Sequence, residues 1–381
     1  FLSGGVDSSA VVGHMAQHSE RVRTYSIGFA GTAADEYYNE LPYARRVAKL
    51  FGTEHHEIVV RPDVAALLPK LLWHMDEPIS DTAFITTYLV SAFARRDVTV
   101  ILSGVGGDEL FGGYRRYLGD RYRSYFRQLP RWMRHTAFAL GDRLPSDRHS
   151  ALLNWSRLAK GFIKSAELPF EDSYRAYVEV FSSEEARDLV RGDCGGAPDP
   201  ISEAFQEAHG SDQLNRMLRV DAQTQLPDDL LLLTDKMSMA VSLECRVPLL
   251  DHELVELAAG IPERVKIRGG RLKHVMKEAL APLLPPDILD RAKRGFGTPM
   301  GAWLRHGLKP LVTDFLSEAA VERRGLFRYP AVRRLVALHD ERRVDGTERL
   351  LTLLNLEIWS RMYLDGRSPD DVTTELKEVL A

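Results

Sequence analysis

The first 120 residues alternate between short runs of apolar and β-branched side chains and longer segments with helical periodicity. The short runs predict three strands, over residues 23–30, 56–60 and 97–103. The periodic segments predict helices over residues 8–18, 41–51, 64–75 and 82–95. Strands that alternate with helices form parallel sheets covered on both faces, so we predict an α/β fold with a parallel sheet over residues 1–124.

From residue 125 to residue 381 the periodicity is mostly helical, with few β-branched runs and a loop predicted at residues 193–200. We therefore expect a large, mainly helical C-terminal part that packs on the α/β core and completes its active site. The whole chain, residues 1–381, is predicted to be one catalytic unit.

Two glycine-rich turns follow predicted strands, one beginning at Ser3 and the other at Ser103. Ligands of open parallel sheets bind beyond the carboxyl ends of the strands. The two turns, together with the strand end near Ile27, are therefore expected to lie along one rim of the sheet.

The first turn, SGGVDSS at residues 3–9, has the composition of a segment that binds the pyrophosphate part of ATP. Glycine lets the backbone approach a ligand closely, and the amides at a helix N-terminus attract anions. The residues predicted to hold phosphate oxygens are Ser3, Gly4, Gly5, Ser8 and Ser9. Because a carboxylate repels phosphates unless a divalent cation lies between them, Asp7 is a predicted Mg²⁺ ligand. The alternative is a common Ser/Gly turn with a helix-capping aspartate.

The second turn, SGVGGDELFGGY at residues 103–114, repeats the order of strand, glycines, acid and helix. We predict Asp108 as the second carboxylate ligand of the same Mg²⁺, opposite Asp7. The alternative is that Asp108 and Glu109 only complement the dipole of the following helix, and Glu109 is assigned no role.

Composition narrows the choice of function. The 381 residues carry a formal net charge of −4 without a basic, aromatic-interleaved stripe, which argues against nucleic acid as a partner. Cys194 and Cys245 are far apart, so no disulfide framework or thiolate zinc site is expected, which fits a cytoplasmic location. No signal peptide or membrane-spanning apolar run is found. The chain begins at Phe1, inside what would be a very short strand, so we expect further residues upstream.

Taken together, the two turns resemble those of the ATP-pyrophosphatase (PP-loop) family, and specifically the synthetase domain of glutamine-dependent asparagine synthetases. Two later segments strengthen the resemblance: residues 235–251, similar to a distinctive helical segment of that family, and residues 291–296, similar to its lysine-bearing loop. The matching segments extend from residue 1 to about residue 305. The resemblance implies a nucleotide-binding core of the adenine nucleotide alpha hydrolase type.

The resemblance also implies a two-step amide ligation with ATP and Mg²⁺. The carboxylate of aspartate attacks the α-phosphate of ATP, and pyrophosphate leaves; ammonia then displaces AMP from β-aspartyl-AMP to give asparagine. In this family an N-terminal glutaminase domain, absent from this chain, supplies the ammonia from glutamine. Homodimers are frequent among the relatives, so a homodimer is also implied.

Individual residues take implied roles by matching the motifs of this family. Lys293 would place a positive charge on the phosphates, and Glu244 would accept a proton from the attacking amine; a salt bridge to Arg246 or Lys236 is the structural alternative for Glu244. The positions whose backbone would hold the nucleotide are Phe1, Ile27, Ser103 and Gly104.

One position departs from the family pattern. Residue 105 is valine, where asparagine synthetases commonly carry glutamate. The alternative is therefore a related amide-forming enzyme that acts on another carboxylic acid, from a secondary metabolite, a peptide or a glycan precursor. A tRNA-modifying adenylating enzyme and a nucleotide-binding scaffold without turnover are the other hypotheses; the acidic charge balance disfavours the first, and intact Asp7, Asp108 and Lys293 disfavour the second.

Overall fold

The computed structural model describes residues 1–30, 39–143, 151–192, 198–208, 212–291 and 297–381. The strands are β1 (Arg23–Phe29), β2 (Glu54–Val60), β3 (Val100–Leu102) and β4 (Glu244–Arg246). The α-helices of the described residues are, in chain order, α1 (Val6–His18), α2 (Leu41–Phe51), α3 (Val64–Met75), α4 (Ala83–Ala94), α5 (Gly107–Phe111), α6 (Arg115–Arg127), α7 (Arg131–Arg143), α8 (Ala151–Ala166), α9 (Phe170–Val178), α10 (Ser183–Leu189), α11 (Pro200–Glu207), α12 (Gln213–Gln223), α13 (Leu232–Met239), α14 (His252–Ala259), α15 (Glu263–Lys266), α16 (His274–Leu280), α17 (Pro286–Leu289), α18 (Met300–Arg305), α19 (Lys309–Phe315), α20 (Glu318–Arg324), α21 (Tyr329–Asp340), α22 (Thr347–Tyr363) and α23 (Pro369–Leu380).

The four strands form two parallel pairs, β1 with β2 and β3 with β4. The segment Phe1-Leu2 lies between the pairs. The Leu2 amide donates to the Tyr25 carbonyl of β1, and the Phe1 nitrogen donates to the Leu102 carbonyl of β3. The backbone order across the sheet is therefore β2, β1, Phe1-Leu2, β3, β4, and the predicted parallel α/β fold is confirmed.

The position of Phe1-Leu2 makes it the point where the strand order reverses. From this central segment the chain first builds outward through β1 and β2, and it later returns to the other side as β3. Crevices at such a switch point, beyond the carboxyl ends of the strands, are the usual ligand sites of open α/β sheets. The turn that begins at Ser3 leaves the sheet at this point.

Each face of the sheet is covered by a separate apolar cluster. Leu2 packs with side chains of α1, α2, α16 and α17, whereas Phe1 packs against Tyr25, Ile101 and side chains of α4 on the other face. Consecutive residues that point to opposite faces are the mark of an extended strand. The apolar runs of the sequence are therefore buried on both faces, as a parallel sheet requires.

The helix predictions for the first half agree closely with the structure. The predicted helices 41–51 and 64–75 have the observed bounds, and those at 8–18 and 82–95 differ by one or two residues at an end. One prediction was wrong: residues 235–251 are not one helical segment, because the helix ends at Met239, residues 244–246 form β4 and residues 248–250 form a single 3-10 turn. Ser242, with a φ of +58°, turns the chain out of the helix before β4 begins. The predicted loop at 193–200 lies mostly outside the described residues.

The described chain divides into two compact units, and each is built from separated segments. Unit 1 contains Phe1–Arg61, Thr86–Arg121 and Pro200–Phe296; unit 2 contains Pro62–Ile85, Tyr122–Asp199 and Gly297–Ala381. A single boundary near residue 124 was predicted from the sequence. The division is different because α3 packs with C-terminal helices, while residues 200–296 return to the sheet.

Unit 2 holds α3 through polar contacts as well as apolar packing. Trp359 and Tyr363, both on α22, donate from their ring N–H and hydroxyl to the carbonyls of Asp76 and Trp73 at the end of α3. Further along, the Asn355 side chain donates to the carbonyl of Ile79. The bonds to Trp73 and Asp76 satisfy carbonyls that the end of α3 leaves without intrahelical partners. No helix among the described residues is both long and apolar enough to cross a lipid bilayer.

Unit 2 contains a buried histidine. His339, at the end of α21, is 1% exposed; its Nδ1 accepts from the Gly346 amide, and its Nε2 lies 3.3 Å from the Gly301 carbonyl oxygen. Since Nδ1 accepts, the proton of the neutral ring belongs on Nε2. Burial, with a smaller contribution from Arg305, lowers the pKa of His339 to about 4.

This histidine predicts a pH dependence of stability. Between its unfolded pKa of 6.5 and its folded pKa of about 4, the unfolded chain binds a proton that the folded chain does not. The free energy of unfolding should therefore fall as the pH is lowered through this window, by about 3 kcal/mol in total. His339→Gln should show a flatter slope in urea denaturation between pH 6.5 and 4, with His306→Gln as the control for loss of an exposed histidine. Equal slopes for the wild type and His339→Gln would contradict the prediction.

Candidate active site

The first glycine-rich turn connects Phe1-Leu2 to α1 and is held by its own serines. The Ser3 amide donates to Oγ of Ser8, and the Gly5 amide donates to Oγ of Ser3. The two hydroxyl oxygens lie 3.0 Å apart. Gly5 is the N-cap of α1 and provides no side-chain hydrogen bond to the helix. Because the N-cap has no side chain that could accept from the first amides, the N-terminus of α1 has the form of an anion site at a helix N-terminus.

Glycine is required at position 4 for two reasons, the backbone conformation and the space available for a side chain. Its φ of +72° lies in the left-handed region, and a Cβ at this position would come within 2.5–2.7 Å of the backbone and Cβ of Tyr43 and the backbone of Ala44 on α2. The turn is therefore pressed against the start of α2. A side chain at position 4 would push the two apart.

The two predicted turns lie directly against each other. A Cβ on Gly104 would lie 2.7 Å from the Ser8 amide nitrogen, and a Cβ on Gly107 would lie 2.3 Å from Oδ1 of Asp7. The expectation that both turns meet at one rim thus agrees with the backbone geometry. The glycines of the second turn provide the space that the Asp7 side chain occupies.

Asp7 and Asp108 converge on one cation, the ammonium of Lys273. Lys273 Nζ lies 2.6 Å from both carboxylate oxygens of Asp7 and 2.7 Å from Oδ1 of Asp108. The lysine side chain is 6% exposed, and the two aspartate side chains are 21% and 14% exposed. We call these three residues the ion cluster. Two carboxylates this close and this buried require a positive charge between them.

The electrostatics of the ion cluster keep the lysine charged. Burial alone would lower the pKa of Lys273, but Asp108 and Asp7 outweigh burial and hold the pKa above its usual value. The backbone of Lys273 is left-handed, with φ of 52° and ψ of 33°. That conformation is costly for a residue with a Cβ and typically persists where the surroundings enforce it, often at functional sites.

Sequence reasoning missed Lys273. It follows the turn at Gly269-Gly270 and precedes the apolar residues of α16, and in the sequence it has the pattern of an exposed helix-start lysine. Nothing in its neighbourhood indicates that residues some 165 and 266 positions earlier supply its partners. Only the fold brings them together.

The remaining residues predicted to bind ATP lie around the same turns. Ser103 continues β3, and its amide donates to the carbonyl of Arg246. Ser9 is fully buried, and its hydroxyl has no hydrogen-bond partner among the described residues. Ile27 is buried in the apolar cluster beside Phe1, so its side chain faces the core. Glu109 is buried and accepts a hydrogen bond from Tyr114.

Glu244 lies at the beginning of β4, opposite Val100 in the parallel register. Its side chain is 54% exposed and forms an ion pair with Arg246, with 2.7 Å between Oε1 and Nε. This contact is one of the two salt bridges predicted as the structural alternative for Glu244. Its role in proton transfer stays a prediction, and Lys293 lies outside the described residues.

The ion cluster also tests whether Asp7 and Asp108 suit a metal. Their carboxylates already share one cation, so their oxygens can converge on a common centre. The described residues contain no group of three or more potential protein ligands of the His, Cys, Asp or Glu type. Two carboxylates without a full protein cage suit Mg²⁺, which keeps several waters and binds together with phosphate oxygens. The residues present therefore fit the proposed metal.

The fold and the site define a class of nucleotide-binding-like α/β protein. It has a parallel sheet, a helix N-terminus without a side-chain cap, and two aspartates in separate strand-end turns at the point where the strand order reverses. The sequence profile described as asparagine synthase matches residues 1–361. The chain belongs to the asparagine synthase family.

Individual relatives agree with this assignment. The chain is 29% identical over its full length to asparagine synthetase [glutamine-hydrolyzing] 1 of Bacillus subtilis, of which the match covers 58%. It is 32% identical over 96% of its length to a Mycobacterium bovis protein provisionally named as an asparagine synthetase, covering 54% of that protein. A Gibberella zeae protein named amidase chry2 is 25% identical over 87% of this chain. The chain thus spans about half the length of the curated relatives it matches.

The packing of Gly113 against the ion cluster gives a testable prediction. A Cβ at position 113 would lie 1.7 Å from Oδ1 of Asp108 and 2.2 Å from Cε of Lys273. Gly113→Ala should therefore displace the Asp108–Lys273 contact and lower the free energy of unfolding by about 1–3 kcal/mol. In the matched control Gly161→Ala, the added methyl meets no heavy atom within 4 Å. Equal free energies of unfolding for the two variants in urea denaturation would contradict the prediction.

Proposed function

We propose that this chain is the synthetase part of an ATP-dependent amide ligase. A substrate carboxylate attacks the α-phosphate of ATP, forming an acyl-adenylate and releasing pyrophosphate. Ammonia then attacks the acyl carbon, and AMP leaves with the electron pair of the broken C–O bond. The observation that carries the proposal is the ion cluster, which lies against the open N-terminus of α1 at the switch point of the sheet.

The turn and the ion cluster support binding of the triphosphate. The amides at the start of α1 and the hydroxyls of Ser3 and Ser8 provide donors for phosphate oxygens. Phosphates bound at this turn would lie close to the ammonium of Lys273, because Asp7 belongs to the first turn of the same helix. Lys273 would then act on the leaving pyrophosphate, where negative charge develops during the first step.

The proposal assigns Asp7 and Asp108 to Mg²⁺. When bound, Mg²⁺ would supply positive charge that offsets the charge of the phosphates. Lys293, two residues beyond Arg291 in sequence, is proposed as a further cation at the same oxygens. We add Lys273 to this set because its ammonium contacts both aspartates.

The second step requires a group that accepts a proton from the attacking amine. Glu244 is the proposed acceptor, on the basis of the family resemblance. Its side chain is 54% exposed, which leaves it accessible to substrate, and it lies beside Arg246. Ionised glutamate is the form that can act as a base.

Aspartate is the proposed acceptor carboxylate, and glutamine the proposed source of ammonia. The Bacillus subtilis relative is named as a glutamine-hydrolysing asparagine synthetase, and it is longer than this chain. The length supports an upstream glutaminase domain on the native polypeptide. A cytoplasmic location is proposed from the cysteine usage, and a homodimer is proposed from the resemblance alone.

A specific observation favours a second candidate acceptor. Val105 lies between Gly104 and Gly106, in the turn that packs against Asp7 and Ser8. A valine cannot transfer a proton or carry charge at this position, and relatives named as amidases occur beside those named as synthetases. The second candidate is therefore the same ligation chemistry on a different carboxylic acid.

A pyrophosphate-release assay tests the proposed reaction. With ATP, Mg²⁺ and an ammonium salt, we expect pyrophosphate and AMP in equal amounts when a panel of carboxylic acids includes the true acceptor. Aspartate is the expected acceptor. Turnover with another acid, with aspartate inert, would support the second candidate, and no pyrophosphate with any acid would contradict the proposed function.

Substitutions in the ion cluster test its part in the reaction. Asp7→Asn, Asp108→Asn and Lys273→Met should each reduce the rate of pyrophosphate release by about 100-fold or more. The aspartate variants remove a proposed Mg²⁺ ligand, and Lys273→Met removes the positive charge proposed to act on the leaving pyrophosphate. Lys266→Met is the matched control, since Lys266 is also buried in unit 1 but bonds Asn215 instead of the ion cluster. Circular dichroism and urea denaturation would establish that each variant is folded. Normal turnover in folded Lys273→Met would remove Lys273 from the mechanism.

A further inference from the structure

The carbonyl side of the phosphate-binding turn is held by a single arginine. Arg291, just beyond α17, donates from Nη1 to the carbonyl oxygen of Ser3 over 3.1 Å. Its Nη2 forms an ion pair with Oε1 of Glu40, and its guanidinium lies over the ring of Tyr43, 3.9 Å from the centroid. One side chain thus connects the turn, the N-cap of α2 and the first turn of α2.

The environment of Arg291 is buried and matched in charge. The side chains of Arg291 and Glu40 are 6% and 13% exposed. A guanidinium can donate to a carbonyl and a carboxylate while its flat face stacks on an aromatic ring, and an ammonium cannot reproduce this combination. The contact is therefore specific for arginine.

The hydrogen bond to Ser3 also fixes a peptide plane. In a trans peptide the carbonyl and the following N–H point in opposite directions. Because the Ser3 carbonyl points to Arg291, the N–H of Gly4 points away from Arg291. The Gly4 backbone is left-handed and in close contact with Tyr43, so Tyr43 is clamped between the turn and Arg291.

We propose that Arg291 is a positioning residue for the nucleotide: it acts through the Ser3 carbonyl to hold the Ser3–Gly4 peptide in the orientation that presents the Gly4 N–H to a phosphate oxygen. The inference rests on the proposed function, because it assumes that the turn binds ATP. Arg291 itself contributes no net charge to the site, since Glu40 neutralises it. Its effect on ATP binding would come from the orientation of the Ser3–Gly4 peptide.

The experiment compares Arg291→Ala and Arg291→Lys with a matched control. The control is Arg46→Ala. Arg46 on α2 forms an ion pair with Asp287 on α17, so its removal also breaks a contact between α2 and the α17 region. Both of these side chains are more exposed than those of Arg291 and Glu40. Binding of Mg²⁺–ATP is measured by calorimetry, and KM for ATP and for the acceptor acid by pyrophosphate release. Urea denaturation reports stability.

We expect Arg291→Ala to weaken Mg²⁺–ATP binding by about 10-fold to 100-fold, the range of one hydrogen bond from a charged donor. KM for ATP should rise in proportion, while KM for the acceptor stays within about twofold, and Arg46→Ala should bind ATP normally. Arg291→Lys should recover only part of the affinity, because it keeps the charge but not the two-sided geometry.

Three results would overturn the inference. They are unchanged ATP affinity in folded Arg291→Ala, equal increases in both KM values, and full recovery by Arg291→Lys. If Arg291→Ala does not fold, Arg291→Lys and Tyr43→Leu are measured for Mg²⁺–ATP binding in its place. The first changes the hydrogen bond to Ser3, and the second removes the aromatic ring that packs between Arg291 and the turn. A wild-type protein that does not bind Mg²⁺–ATP would instead contradict the proposed function.

Discussion

The close approach of Asp7 and Asp108 is the constraint on which the rest of the site depends. Two carboxylates at this distance repel each other and lose hydration when they are buried, so burying both is costly unless a cation lies between them. Lys273 provides that cation from a segment that follows by more than 160 residues. Removing one member of such a cluster leaves a buried charge without compensation, a change that typically costs about 3–5 kcal/mol.

Other features of the two turns follow from this cluster. The side chain of Asp7 requires Gly107, and the Asp108–Lys273 contact requires Gly113, because a Cβ at either position would overlap the charged groups. The left-handed backbone of Lys273 directs its ammonium to the cluster at a conformational cost. Glycines and strain are thus concentrated where opposite charges meet, and the surrounding apolar clusters supply the stability that offsets them.

Local patterns in the sequence predicted local structure well. Strand and helix periodicity located β1, α2 and α3 with accurate bounds, and the strand-end rule placed the turns at Ser3 and Ser103 side by side. Long-range features were beyond that reasoning. Lys273 has no local pattern that distinguishes it from a surface lysine, and β4 consists of three residues that gain their strand character only by pairing with β3. The discontinuous units arise for the same reason, since segments distant in sequence complete each core.

Charge balance also explains why the proposed site needs cations besides Lys273. The ion cluster of Asp7, Asp108 and Lys273 carries one net negative charge, and Arg291 is neutralised by Glu40. The triphosphate of ATP is strongly negative, so the ion cluster would repel it. The amides of the first turn alone would not offset that repulsion. Positive charge must enter with the nucleotide or from a nearby side chain. The Mg²⁺ proposed at the two aspartates and the proposed role of Lys293 would both meet that requirement.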